Sequence, residues 1–168
     1  LYKAVNHVAD IFKLLEIGID GGKDSLSMNT KLDENTTVIS PNTCVVKSYA
    51  PVPNVFCKVT PEFKNAGNTI LLVDLAMNKR RLGGSALLQT NGYATKYSDT
   101  PRFEKDVIVK FKEIFQCIQN AIKDNVIVAG HDISDGGLIT TLIEMSISSQ
   151  YGMNIHINNK CNIIDYFF

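Results

Sequence analysis

Val126-Ile127-Val128-Ala129-Gly130-His131-Asp132-Ile133-Ser134-Asp135-Gly136-Gly137-Leu138 is the stretch that decides the fold. Four apolar, largely β-branched residues run into a polar turn bounded by glycines, and an apolar helix is predicted from Leu138 to about Ser149. Strand, glycine turn and helix in that order is the building unit of an α/β protein. On its N-terminal side lies the best-patterned helix of the chain, with Phe103, Val107, Phe111, Ile114, Phe115, Ile118 and Ile122 on one face. Thr100-Pro101 is read as its cap and first helical residue. Further out, Gly92 to Thr100 reads as a loop, Arg80-Arg81-Leu82-Gly83-Gly84-Ser85 as a glycine turn opening a short helix, and Thr69 to Leu75 as a buried strand. Beyond the deciding stretch, Met153 to Ile157 is predicted to be a final strand.

Near the N-terminus, Ala4, Val5, Val8, Ile11, Phe12 and Leu15 recur at helical period, predicting an amphipathic helix over residues 2 to 15. Ile17-Gly18-Ile19 reads as a short strand entering a glycine turn at Asp20 to Ser25. Leu26 to Leu32 and Thr43 to Val52 read as strands, separated by a polar segment with Asn35 and Pro41-Asn42. Pro51, Pro53 and Pro61, followed by Asn65-Ala66-Gly67-Asn68, put a domain boundary at residues 53 to 67. The predicted class is α/β, with both parallel and antiparallel neighbours open.

The 168 residues carry 17 Lys+Arg against 17 Asp+Glu and are 45% apolar, a composition that suits a globular unit. A chain of this length buries roughly two thirds of its unfolded surface and needs neither disulfide nor metal to hold a core. Balanced charge offers no basic footprint for nucleic acid or an anionic membrane, and neither is expected as a partner. No apolar run reaches membrane-spanning length. Cys44, Cys57, Cys117 and Cys161 show no zinc-ligand spacing and read as reduced thiols of a cytoplasmic protein. Leu1 already lies in a helical pattern and the chain closes on Asp165-Tyr166-Phe167-Phe168, read as exposed aromatics, so the sequence reads as cut at both ends.

Eight of the 11 glycines fall in three turns: Gly18, Gly21 and Gly22; Gly83 and Gly84; Gly130, Gly136 and Gly137. Such turns let backbone amides approach phosphate, and a helix N-terminus beyond adds donors and a positive dipole end. Ordinary strand-to-helix turns use glycine in the same way, and both readings stand. Gly22-Lys23-Asp24-Ser25 is not a P-loop, because Ile17 occupies the required first glycine position and Asp24 follows the lysine. Lys23 is suited to neutralise phosphate and Ser25 to donate to it, or both simply stabilise a solvated turn. Asp132 and Asp135 offer hard oxygen ligands of the kind Mg²⁺ takes beside nucleotide phosphates, with Ser134 and the helix amides near Gly136 left for the phosphate. Ser134 or Asp135 could equally be only an N-cap, and His131 only a hydrogen-bonded turn residue. Arg80 and Arg81 suit an anion or plain solvent.

The order Gly21-Gly22-Lys23-Asp24-Ser25-Leu26-Ser27-Met28, Val59-Thr60-Pro61, Arg81-Leu82-Gly83-Gly84-Ser85-Ala86-Leu87 and His131-Asp132-Ile133-Ser134-Asp135-Gly136-Gly137-Leu138, with Glu144-Met145, resembles the phosphoribosylformylglycinamidine synthase family in its large single-chain form. That family belongs to the aminoimidazole ribonucleotide synthetase superfamily. The resemblance implies the end of an N-terminal α/β synthetase domain, residues 1–60, followed by most of a C-terminal α/β domain, residues 61–168. It implies an ATP-dependent ligase of purine biosynthesis, with ATP and Mg²⁺ as cofactors. Formylglycinamide ribonucleotide and ammonia from glutamine would be the substrates, and the other synthetase half and a glutaminase domain the partners in the same chain. By the same resemblance Gly22 and Lys23 lie near ATP and Ser25 on the substrate, while at a second, auxiliary nucleotide site Asp132 is a magnesium ligand and Ser134 a nucleotide contact. Small-subunit relatives carry a metal-binding asparagine where this chain has Lys23, so the resemblance implies a charge substitute there rather than a ligand. The family's catalytic histidine and glutaminase cysteine fall outside the matched region, and none of the four cysteines inherits that role. Two other readings keep the glycine turns: a nucleotide-binding domain of the superfamily without catalysis, and a scaffold whose turns are purely structural.

Overall fold

The computed structural model describes residues 2–25, 27–41, 43–76, 79–94, 97–157 and 162–168. The chain divides into two compact units, Leu1–Pro53 and Asn54–Phe168. In the first, helix α1 (Tyr2–Leu15) precedes four short strands, β1 (Gly21–Asp24), β2 (Asn29–Lys31), β3 (Thr37–Ile39) and β4 (Cys44–Lys47). They pair as two antiparallel ladders, β1 with β4 and β2 with β3. The β2–β3 turn is closed by Asp33, whose Oδ1 accepts from the amides of Asn35 (2.8 Å) and Thr36 (2.7 Å). This local capping makes a hairpin where only a polar connection is expected from composition.

The glycine turn expected at Asp20 to Ser25 is instead strand β1. Neither Gly21 nor Gly22 has positive φ. The role of Gly22 is close approach, since a Cβ there would lie 2.3 Å from the Val45 carbonyl oxygen of the partner strand. The strands predicted over Leu26 to Leu32 and Thr43 to Val52 shrink to Asn29–Lys31 and Cys44–Lys47, with Leu26 and Asn42 outside the described residues.

The second unit holds α2 (Ala86–Thr90), a 3₁₀ turn at Tyr97–Asp99, α3 (Lys105–Lys123), α4 (Gly137–Ser149) and α5 (Ile163–Phe167). Ser85 caps α2, accepting from Leu88 N at 3.3 Å. Helix α3 begins later than Thr100-Pro101 predicts: its cap is Glu104, in extended conformation. The Asp99 carbonyl accepts from Gly83 N at 2.9 Å, which holds this stretch against the glycine turn and delays the helix. Ile108, absent from the predicted apolar face, is the buried residue of α3, whereas Phe103 and Phe115 are exposed.

Four predicted strands, at Thr69–Leu75, Val126–Ala129, Met153–Ile157 and Ile17–Ile19, form no ladder among the described residues. A strand needs an edge to pair with, and apolar patterning does not supply one. Asp74 instead closes the first run, bonding Ala76 N at 2.8 Å and Arg80 at 2.8 Å. Val126 N and Ile127 N both turn back to the Ala121 carbonyl after Asn125 at φ 56°, leaving Ala129 alone to form a parallel bridge with Thr60.

The buried apolar residues are Ile108, Leu142, Met145 and Phe167. Phe167, read from sequence as an exposed end residue, is 8% exposed because α5 folds onto α4. Full burial of such a side chain contributes roughly 2–3 kcal/mol. Among the described residues no helix is long and apolar enough to cross a membrane. Cys44, Cys57 and Cys117 are free and exposed, and Cys161 lies outside the described residues.

Candidate functional site

In the first unit the candidate residues lie along one strand. Gly22 faces Val46 and Lys23 faces Val45 across the ladder, and Ser25 N extends it by donating to Thr43 O at 3.0 Å. Side chains alternate along a strand, so Lys23 and Ser25 share one face and Asp24 takes the other. Lys23 is exposed and Ser25 half-buried. The strand end is fastened by Lys47, which sits 3.7 Å from Asp20 and 5.0 Å from the Tyr49 ring centroid. A cation and a hydroxyl two residues apart on one face make a pair of donors for one phosphate group.

The second unit builds a denser cluster. The Thr60–Ala129 bridge and the Gly130 N to Thr60 O bond (3.2 Å) bring Val59-Thr60-Pro61 beside the start of the 130–137 turn. Thr60 is itself fixed, its hydroxyl donating to Glu62 (2.7 Å) and accepting from Lys64 (2.6 Å). Lys64 also pairs directly with Glu62, and these donors hold the Glu62 carboxyl down at about 2. In the turn, Ser134 Oγ donates to Asp132 Oδ2, the main reason the Asp132 carboxyl lies below its ordinary value. His131 Nδ1 is 2.8 Å from Asp132 O, and His131 Nε2 is 3.1 Å from Glu144 Oε2 on α4. The buried Thr141 hydroxyl lies 3.3 Å from Asp132 O.

Neither Ser134 nor Asp135 is the cap of α4. That position is Gly136, at φ 89°, with no side-chain bond. The Gly137 amide, expected to be free for phosphate, donates to Ser134 O at 3.1 Å, because two successive glycines at positive φ curl the turn under the helix. A Cβ at Gly137 would lie 2.4 Å from Phe167 O.

Arg80 and Arg81 share a cavity of about 490 Å³ with Ile133, Gly137 and Leu138. Arg80 is not left to solvent: it pairs with Asp74 at 2.8 Å and lies 5.1 Å from the Tyr166 ring centroid. The structure therefore joins three of the four sequence motifs within this unit. From sequence Thr141 is not singled out, and Glu144 enters only as part of the motif order, with no role at the site. Glu144 is the one charged residue in the 13 of α4, a signal that would have marked it.

The donor set at Asp132 is one ionised, 83%-exposed carboxylate with a hydroxyl beside it. No three His, Cys, Asp or Glu gather to cage an ion among the described residues. That fits Mg²⁺ held chiefly by nucleotide phosphate, which needs one or two carboxylates.

Residues 65–166 match the family described as AIR synthase related protein, C-terminal domain, and residues 1–51 match the FGAR-AT PurM_N-like domain. The chain is 41% identical to a phosphoribosylformylglycinamidine synthase of Drosophila melanogaster over 94% of its length. It is 39% identical over its whole length to the Arabidopsis thaliana protein named probable phosphoribosylformylglycinamidine synthase, chloroplastic/mitochondrial. To the human phosphoribosylformylglycinamidine synthase it is 32% identical over 94% of its length. The chain spans 12% of the length of each of these relatives. No solved structure matches it. With the C-terminal domain pattern matched across most of the chain and the clustered His131–Leu138 turn inside it, the chain belongs to the family of AIR synthase related proteins.

Proposed function

We propose that this chain is a segment of a phosphoribosylformylglycinamidine synthase. Residues 1–60 would be the C-terminal part of its ATP- and substrate-binding N-terminal-type domain, and residues 61–168 its C-terminal-type α/β domain. The reaction would convert formylglycinamide ribonucleotide to the amidine with ATP and ammonia from glutamine. The other synthetase half and a glutaminase domain would come from the same polypeptide. Similarity over 94% or more of the chain to proteins bearing that name supports the reading. Free, exposed thiols at Cys44, Cys57 and Cys117 accord with a cytoplasmic setting.

In this scheme ATP phosphorylates the formamide oxygen, and ammonia then displaces phosphate. Such chemistry is carried by positioning and charge neutralisation more than by covalent help from the protein. Lys23 would offset phosphate charge near ATP, with Gly22 keeping the backbone close, and Ser25 on the same face would hold the substrate. Asp132 would hold Mg²⁺, which neutralises phosphate charge when bound. Ser134 would contact the nucleotide, its hydroxyl turning from Asp132 to a phosphate oxygen.

The observation that carries the proposal is the Asp132–Ser134 pair, an exposed carboxylate and hydroxyl bonded to each other on the turn before α4. The test is nucleotide content. Full-length protein purified with Mg²⁺ is expected to retain ADP or ATP, and Asp132→Ala to lose it; equal retention would remove the metal and nucleotide roles from this turn.

A further inference from the structure

Asp132 stands on an exposed turn, yet its backbone and side chain are tied to α4 at two points. Thr141 Oγ1 lies 3.3 Å from its carbonyl and 3.2 Å from Gly137 O, so its one hydroxyl proton is shared between the loop and the first turn of the helix. His131 makes the second tie through its ring: Nδ1 is 2.8 Å from Asp132 O and 3.5 Å from Asp132 Oδ1, while Nε2 is 3.1 Å from Glu144 Oε2. Thr141 and Glu144 are three residues apart on one helix and therefore share a face. The loop is clipped to that face at two sites about one turn apart.

The ring is mostly covered, its side chain 19% exposed. Both nitrogens face oxygens at close range, so the ring is held between Asp132 and Glu144 rather than open to a ligand. An imidazole is a rigid planar spacer. With one edge against Glu144 and the other against Asp132, it transmits the position of α4 to the carboxylate.

We propose that His131 is a positioning residue for the Asp132 carboxylate, anchored by Glu144, so that helix α4 sets where Asp132 meets a divalent cation carrying nucleotide phosphate. This rests on Asp132 being the cation ligand. Partners that orient a metal ligand typically hold 10–100-fold of metal affinity, although they never touch the ion.

The experiment measures ADP retained by the full-length protein as Mg²⁺ is titrated, beside the melting temperature. His131→Ala and Glu144→Ala are each expected to raise the Mg²⁺ half-saturation about 10–100-fold, and the double variant to be no worse than either. Glu144→Gln, which keeps an oxygen for the ring, should recover most of the loss. Met145→Ala, a core change on the same helix, should lower the melting temperature without moving the half-saturation. Glu144 is exposed, so its variants carry the test if His131→Ala does not fold. Half-saturation within about twofold of the parent, a small fraction of the expected change, in Glu144→Ala would overturn the proposal, as would an equal shift in Met145→Ala. Asp132→Ala separates the two readings. If it keeps Mg²⁺-dependent ADP, the cation site itself is wrong; if it loses ADP while His131→Ala and Glu144→Ala do not, only the positioning role is wrong.

Discussion

Gly137→Ala is the sharpest test of how the second unit is assembled. Gly137 opens α4 at φ 73°, and a Cβ there would meet Phe167 O at 2.4 Å and Phe168 Cα at 2.8 Å. Two costs follow. Placing alanine at positive φ costs roughly 1–2 kcal/mol. The obstacle is backbone, which cannot rotate aside, so α5 must lift and surrender much of the burial of Phe167, roughly 2–3 kcal/mol. A total of about 3–4 kcal/mol follows when part of the burial survives. Gly67 isolates the first cost, since it has φ 86° with nothing within 4 Å of its would-be Cβ. Gly67→Ala should therefore cost only the dihedral penalty, about 1–2 kcal/mol. Gly18, with neither positive φ nor a neighbour, should tolerate alanine with no loss. Hydrogen exchange on α4 and α5 in the full-length protein gives the opening free energies locally. If Gly137→Ala leaves α5 as protected as Gly67→Ala does, the packing of α5 over the α4 start is wrong.

Four further outcomes are expected. Ser25→Ala in the complete enzyme should lower amidine formation roughly 10–100-fold, the value of one hydrogen bond to a charged group, while nucleotide content stays at the parental level; steady-state rates beside bound-nucleotide assays check this. Gly22→Ala should break the β1–β4 ladder, because its Cβ would lie 2.3 Å from Val45 O, and should lower activity together with exchange protection at Ser25. Asp132→Ala should shed nucleotide and leave the β1–β4 ladder protected. For Glu62, whose carboxyl is held at about 2 by Lys64 and Thr60, the sign is that of a depressed acid: its stabilisation is complete above the unfolded value of about 4.5 and is lost as pH falls toward 2. Thermal melts from pH 6 to pH 2 should show that loss in the parent and a smaller one in Lys64→Met.

Helix positions were legible from sequence where one face had to be apolar, as α1, α3 and α4 show, because helical period is local information. The β content was not. Thr69–Leu75 has the composition of a buried strand, yet Leu71 is 80% exposed and the run pairs with nothing among the described residues. Whether such a run becomes a strand depends on a second edge that its own residues do not encode. Gly21-Gly22 shows the converse. From sequence the pair reads as a turn, but Gly22 serves a strand by lacking a Cβ, a reason visible only once Val45 lies opposite.

The same distinction bears on the site. Asp132 and Ser134 are two residues apart and their bond is local, so a sequence reading could select both. Glu144 lies twelve positions from Asp132 and meets it through the His131 ring, and Thr60 meets the turn through its bridge to Ala129 and the bond from Gly130 N. The residues proposed to carry the chemistry are marked by local motifs and the resemblance they support, whereas those that hold them in place are set by tertiary contact. Substitutions at Thr60, Thr141 and Glu144 should therefore act on Asp132 in proportion to how far they loosen these ties, and should be silent at Ser25.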